Sequence, residues 1–482
     1  MTRSLLIVAA SRLIQMAVLL LMLKLMTFRL SPAEVGAFSL LVAIATFFTW
    51  LVISPVGLYV NRLTLDWLSN GTLLRNYGLH ITYVMAASAV SGIVLLAAQY
   101  AVHPQWDISP PLVAGLVSSY MFCSVASNTV TPGLNIIGKR IPYSVLYPLT
   151  QILCLGASWL LSFRSAQGAW WFLGQTIGFA FGAIIASFWF SRAAREHPVK
   201  TTAFSVRNIS VAPILCFVLP VALAWTLNWF QFQSYRLLLT ELVSLKFLGT
   251  FFAGYSISAG IMGAIEVSAG QFFHPYFYMS LQKSEAGARY ESWSLYMGLL
   301  FPIILLVAAA LVSMQSVLTS LLLSAEFQKA GIYLAAGAIV EGVRVLSGSY
   351  ALAAHASMQT RKLLLPHFTG AICAVSFITI GVSVFGEWAV PVSMSLAAAV
   401  FLTVMHVTIW RHSGTNIPVI APGIVGSCIA IISALGYAAR QVPANLEGLA
   451  LLGFTGLLVV GASAVVFFKA QKKLPASLRD AG

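Results

Sequence analysis

Apolar residues run along this chain in long blocks, and polar residues are confined to short interruptions between them. A block of about 20 apolar residues is long enough to cross a bilayer as a helix. Blocks of that length at 5–27, 34–59, 79–101, 111–137, 143–163, 169–190, 208–230, 247–272, 293–321, 331–356, 363–384, 388–410, 418–439 and 447–468 predict fourteen membrane helices. The pattern is that of an all-α polytopic membrane protein. The longest connections, 60–78, 191–207 and 273–292, are too short to form a folded domain. Met1 to Thr27 reads as a first span, because its apolar core continues past signal length with no small-residue cleavage site.

Composition agrees. Of 482 residues, 59% are hydrophobic and 8% charged, against about 25% charged in soluble domains, and the mean hydropathy is +0.89. The net charge is +14, from 27 Lys+Arg against 13 Asp+Glu. With the N-terminus in the cytoplasm, eighteen of these bases fall in inner segments, six in outer ones and three (Arg12, Lys24, Arg344) within spans. That asymmetry is the positive-inside bias, and it predicts cytoplasmic termini. It also removes a nucleic-acid reading, which needs a basic face on a soluble module. The five cysteines all lie in spans without paired spacing and read as packing residues. No cofactor or metal site is expected.

Weak internal symmetry is a transporter signature. "KLMTFRLSPAEVGAFSL" (24–40) resembles "RLLLTELVSLKFLGTFFAG" (236–254): a basic residue at a span's end, then a glycine 12 or 13 positions later opening the next helix. "NIIGKRIPY" (135–143) resembles "SMQTRKLLL" (357–365), each a dibasic turn between spans. Both matches place helices 1–6 and 7–12 as two copies. The expected organisation is a lobe at 1–205, a second at 206–412, and two further helices with a basic tail at 413–482.

Further stretches carry a family resemblance. "LSPAEVGAFSLL" (30–41) and "FVLPVALAWTLNWFQFQSYRLLLTELVSLKFLGTFFAGYSISAGIMGAIEVSAGQFFHP" (217–275) resemble the polysaccharide-biosynthesis flippases. That family opens its second lobe with a proline-containing helix, a basic residue, a Gly-x-Tyr-like helix start and an inner proline; Pro220, Arg236, Gly254 with Tyr255, and Pro275 follow that order. "GKR" (138–140) and "LLSAEFQKAG" (322–331) are similar to its other turns. The resemblance covers about residues 1–410 and is to the O-antigen and exopolysaccharide branch of the multidrug/oligosaccharidyl-lipid/polysaccharide exporter superfamily. One departure is Tyr235, where the family often carries an acidic residue. The resemblance implies two six-helix lobes around a cavity that opens alternately to each side. It also implies a polyprenyl-pyrophosphate-linked oligosaccharide as substrate, the bacterial cytoplasmic membrane as location, and membrane lipids, a polysaccharide polymerase and glycosyltransferases as partners.

Polar groups inside the spans are the candidate chemistry, because a mid-bilayer charge costs at least about 2.5–3.5 kcal/mol and faces a cavity or a partner. Arg344 lies near the middle of helix 10 with Glu341 three positions before it and Gly348 and His355 on the same face. The two charges either neutralise each other as a structural pair or line the cavity, with Arg344 on a pyrophosphate and Glu341 or His355 in ion coupling. Arg12 shares a face with Gln15 and either snorkels to the inner surface or grips pyrophosphate, which a guanidinium binds through two oxygens at once. Lys24 and Arg236 sit in outermost turns, where snorkelling is the default. Glu266 is either a coupling carboxylate or the partner of a loop base. Asn228 and Gln231 share a face with Tyr235, suited to sugar hydroxyls or to hydrogen bonds between helices.

Two other functions compete with a flippase. A drug or cation antiporter of the same superfamily favours acidic groups in the cavity. A membrane enzyme needs clustered acidic loop residues or a sizeable outer loop, and Asp107, Glu326 and Glu387 are isolated in short ones. His355 as an acyltransferase base has no evident nucleophile beside it. A transporter is the expected class.

Overall fold

The computed structural model describes the chain except residues 1, 103–108, 197–210, 284–285, 357–359, 414–419, 440–445 and 472–482, and except the side chains of residues 2–10, 102, 211–213, 271–292, 355–360, 410–413, 446 and 470–471. The described chain is all helix and turn. Thirteen segments are long and apolar enough to cross a membrane. One of them, Arg361–Ile409, is 49 residues long and folds back on itself as two packed helices, so the described residues hold fourteen candidate spans.

Two compact units divide the chain at Leu237 and Leu238. Unit 1 contains α1 (Thr2–Arg29), α2 (Pro32–Phe48), α3 (Ser54–Ser69), α4 (Leu73–Val102), α5 (Pro110–Ile136), α6 (Arg140–Ser162), α7 (Gly168–Arg195) and α8 (Val211–Phe232). A π-helical turn, Thr49–Ile53, joins α2 to α3 without a break. The inner segment expected as loop from residue 60 is therefore helical to Ser69. The repeat pattern starts the second lobe at 206, yet α8 packs in unit 1. Trp229, 1% exposed, donates its indole N–H to the Ala43 carbonyl at 3.1 Å and meets the Phe47 ring edge-on. A large aromatic seated this way binds α8 to α2 whatever the repeat boundary is.

Small residues set the tightest contacts in unit 1. Gly174, Gly178 and Gly182 recur every fourth residue on α7 and face α6. A Cβ at Gly178 would lie 2.3 Å from the Cys154 Cα, and one at Gly174 2.3 Å from the Ser158 Cα. The spacing of two glycines four apart in "GFAFG" (178–182) is what lets the two backbones meet. Proline shapes the same unit. Pro148 inside α6 has no N–H to give the Ser144 carbonyl; the Ser11 hydroxyl on α1 donates to that carbonyl instead, at 2.6 Å.

A short helix, α9 (Tyr235–Leu242), straddles the division between the units. Unit 2 then contains α10 (Leu245–Lys283), α11 (Ala286–Ser313), α12 (Gln315–Leu322), α13 (Gly331–Ala356), α14 (Leu364–Phe385), α15 (Ala389–Ser413), α16 (Pro422–Ala439) and α17 (Leu446–Gln471). α10 has 39 residues, about 58 Å at 1.5 Å per residue, longer than a bilayer core requires. α14 and α15 turn on Gly386, at φ 72°, and are tied by Ser393 donating to the Phe377 carbonyl at 2.8 Å. α16 and α17, outside the expected repeat, pack on α11 through Leu306, Ile432 and Val466.

The site depends most on the parallel pair α10 and α13. A Cβ at Gly254 would fall 2.2 Å from the Ala330 carbonyl oxygen, and one at Gly337 would fall 3.2 Å from the Tyr255 Cα. Ser258 fastens the contact by donating to the Leu334 carbonyl at 2.7 Å. With the backbones this close, residues 255 and 266 on α10 are brought level with 341 and 344 on α13.

These contacts predict a sign reversal among glycine-to-alanine variants. In an open helical position the change stabilises by up to about 1 kcal/mol; Gly156 and Gly263, where a Cβ meets nothing within 4 Å, should gain slightly. Gly178→Ala and Gly254→Ala push a methyl into backbone and should each lose about 1–3 kcal/mol. Thermal unfolding in detergent checks this, and equal melting temperatures for Gly178→Ala and Gly156→Ala would refute the packing.

Candidate functional site

The α10–α13 register creates a charged network in unit 2. Glu341 is buried, and both of its oxygens are bonded: the Tyr255 hydroxyl donates to Oε1 at 2.6 Å, and Arg344 Nε donates to Oε2 at 2.7 Å. Arg344 Nη2 reaches a second carboxylate, Glu266 Oε2, at 2.8 Å. Neither the structural-pair reading of Arg344 nor the cavity reading includes that second carboxylate. The arginine is not satisfied by Glu341 alone, and Glu266 pairs with it rather than with a loop base. The two residues are far apart in sequence, and only the register of the two helices could align them.

One arginine between two carboxylates carries a formal charge of −1. The carboxylates are unequally held: the Glu341 side chain is 6% exposed and Glu266 36%. Gly348, on the face expected to continue from Glu341, leaves room beside Glu266; a Cβ there would sit 3.4 Å from Glu266 Oε1. Tyr255 enters the sequence reading only as part of a helix start, and its hydroxyl proves to be the third ligand of the pair. Further along α13, Trp293 of α11 donates to the Ser349 carbonyl at 2.8 Å, and Tyr350 shares a 2.7 Å hydrogen bond with His406 Nδ1. His355 lies in α13, but its side chain is outside the described residues.

Unit 1 holds the other arginine in a different setting. Arg12 Nη1 donates to Gln15 Oε1 at 2.8 Å, so the shared face expected for these two residues is a hydrogen bond. Arg12 Nη2 donates to the Tyr143 hydroxyl. The guanidinium carbon also lies 4.6 Å from the Tyr147 ring centroid and 5.6 Å from that of Tyr143. Cations hold such positions over an aromatic face electrostatically. Tyr143 and Tyr147, four apart on α6, escape the sequence reading; their i,i+4 spacing beside Arg140 is the available signal.

Behind Tyr147 a small pocket opens between α5 and α6, lined by Ser127, Asn128, Thr131, Tyr147, Thr150 and Gln151. It has room for about one water molecule. The Thr131 hydroxyl is buried and has no hydrogen-bond partner among the described residues. Pro132 follows it in α5 and cannot donate to the carbonyl of Asn128, so the wall carries a backbone acceptor as well. Every lining group is neutral and hydrogen-bonding.

The remaining candidates separate. Lys24 is exposed. Arg236 is buried within unit 1, donating to the Tyr235 hydroxyl at 3.2 Å and to the Ser39 carbonyl at 3.3 Å; it does not snorkel, because α9 folds it inward. Gln231 is 6% exposed, and neither of its amide atoms, nor Asn228 Oδ1, has a partner among the described residues. Among the described residues, no group of three His, Cys, Asp or Glu side chains could hold a metal ion.

No family model matches the sequence, and no curated relative does. Solved structures do. A lipid II flippase, MurJ, in an inward closed conformation superposes with a TM-score of 0.63 at 13% identity, over 97% of this chain and 99% of that one. An inward-facing multidrug resistance MATE family transporter of the MOP superfamily gives 0.54 at 12% identity, over 85% and 96%. A mutant form of the Vibrio cholerae MATE transporter VcmN gives 0.52 at 14% identity, over 86% and 99%. At such identities the likeness is one of fold: this chain is a multi-pass helical membrane protein that shares the fold of these structures.

Proposed function

We propose that this protein is a flippase of the bacterial cytoplasmic membrane that moves a polyprenyl-pyrophosphate-linked oligosaccharide to the outer leaflet for surface polysaccharide synthesis. Both termini face the cytoplasm in this reading, the repeats are 1–205 and 206–412 with 413–482 outside them, and a polymerase and glycosyltransferases act on the same intermediate. The observation that carries it is Arg12, an arginine within the first span cradled by Gln15, Tyr143 and Tyr147. Gln15 and Tyr143 accept from its guanidinium and the two tyrosine rings lie beneath it, which orients a group suited to a phosphate because it binds two oxygens at once. The comparison with a lipid II flippase supports the class of substrate.

A second reading, an ion-coupled multidrug-type antiporter, has its own observation: the net negative triad of Glu266, Arg344 and Glu341 suits a cation or proton. The two readings make opposite demands on Arg12.

In a host whose own gene is deleted, Arg12→Ala should lower surface polysaccharide at least about tenfold, since one charge-assisted hydrogen bond is worth roughly 1.5–3 kcal/mol. Arg12→Lys should restore part of it. The check is cell-surface polysaccharide against protein content of isolated membranes. Full polysaccharide from Arg12→Ala, or efflux of a cationic dye by wild type that this variant leaves intact, favours the antiporter.

Arg344→Met strands the buried Glu341 and should cost about 3 kcal/mol of stability, as breaking buried ion pairs does. The neutral triple variant Glu266→Gln, Glu341→Gln, Arg344→Met should recover most of the lost melting temperature. If the triple variant also recovers polysaccharide, Arg344 is structural; if stability returns without transport, Arg344 acts on substrate.

A further inference from the structure

We propose that Glu266 occupies the place of an anionic ligand on Arg344, and that a phosphate or pyrophosphate group displaces it with uptake of one proton. The inference rests on the flippase reading and adds to it a second anion subsite, in unit 2, with its coupling.

The two carboxylates of the triad divide the work. Glu341 is buried, and Tyr255 and Arg344 Nε use both its oxygens; it is the fixed counter-ion that keeps Arg344 charged and aimed. Glu266 bonds the arginine through one oxygen at 2.8 Å and is six times as exposed. Its other oxygen faces Gly348, which puts no side chain of its own against it. The acceptor position on Nη2 is thus filled by the one member of the network that can leave. Nη1 of Arg344 has no partner among the described residues. A guanidinium presenting Nη1 and Nη2 together is the fork that binds two phosphate oxygens side by side.

Displacement has an electrostatic consequence. A phosphate on Arg344 puts a new negative charge within a few ångströms of Glu266, which has just lost its cation. Both changes favour the neutral carboxyl. The groups that face Glu266 from the helices packed on α10 are Arg344 and, behind it, Glu341 from α13, and Tyr296 from α11; among the described residues none of them is a second cation that could hold Glu266 ionised. One proton is therefore taken up at Glu266 as the anion binds, no bond to phosphorus is made or broken, and both are released together. Linkage fixes the sign: anion binding tightens as pH falls, by at most about tenfold per pH unit for one proton.

The test measures binding to the full chain in lipid nanodiscs, using inorganic pyrophosphate and, separately, a polyprenyl pyrophosphate, at about pH 6 and about pH 8, both above the range in which an ordinary carboxylate titrates. Glu266→Gln mimics the protonated state. It should bind at least about tenfold tighter than wild type at the higher pH and by a smaller factor at the lower, with the added pH slope gone. Ionisation of the ligand itself is common to both proteins and cancels in their comparison. Glu266→Asp, shorter by a methylene but ionisable, should keep the slope. Enhancement with the lipid probe alone identifies the membrane-borne headgroup as ligand, and with both probes a site open to soluble phosphate as well. Unchanged affinity and slope in a Glu266→Gln protein that melts like wild type overturns the exchange while leaving binding at Arg12, and the flippase reading, standing. Absence of pyrophosphate binding to wild type and to Glu266→Gln at either pH overturns both.

Discussion

Inside a bilayer a polar atom that finds no partner in the protein finds none at all, since hydrocarbon offers neither donors nor acceptors. The internal organisation of this chain follows from that constraint. A proline in α6 frees a carbonyl, and a serine from α1 meets it. Trp229, Ser258 and Trp293 each give a side-chain N–H or O–H to a backbone carbonyl on a neighbouring helix. These bonds can form only where backbones approach closely, so glycines and hydrogen bonds occur together, at α6 with α7 and at α10 with α13. Packing and polar satisfaction are here one requirement.

Two arginines show how far that requirement extends. Both lie within spans and both are oriented by a tyrosine, Arg12 by Tyr143 directly and Arg344 through the Glu341 that Tyr255 holds. Their electrostatic settings differ. Arg12 donates to the oxygens of Gln15 and Tyr143 and lies over tyrosine ring faces. Arg344 is over-compensated by two carboxylates, which turns its surroundings negative. The two carboxylates are themselves unequal, Glu341 being buried and Glu266 partly exposed. A single sequence feature, arginine in a greasy helix, thus occurs in two different settings.

Legibility from sequence tracks the range of the interaction. The fourteen candidate spans are readable because length and apolarity are local properties; even the run at Arg361–Ile409 is separable, since 49 residues exceed any single crossing. The pairing of Arg344 with Glu341, and of Arg12 with Gln15, follows from three-residue spacing on one helix. Where α8 packs is not local in this sense, because a tryptophan contact between α8 and α2, 186 residues apart, holds it there.

Amino-acid pattern alone was enough for membrane class, helix number and the short list of charged groups that hydrocarbon makes expensive, since each depends on residues within a turn or a span of one another. The partner of Glu266, the inward turn of Arg236, the tyrosine cradle of Arg12 and the pocket behind it required the folded chain. They depend on the register and separation of helices distant in sequence, and those are set by where glycine lets two backbones touch.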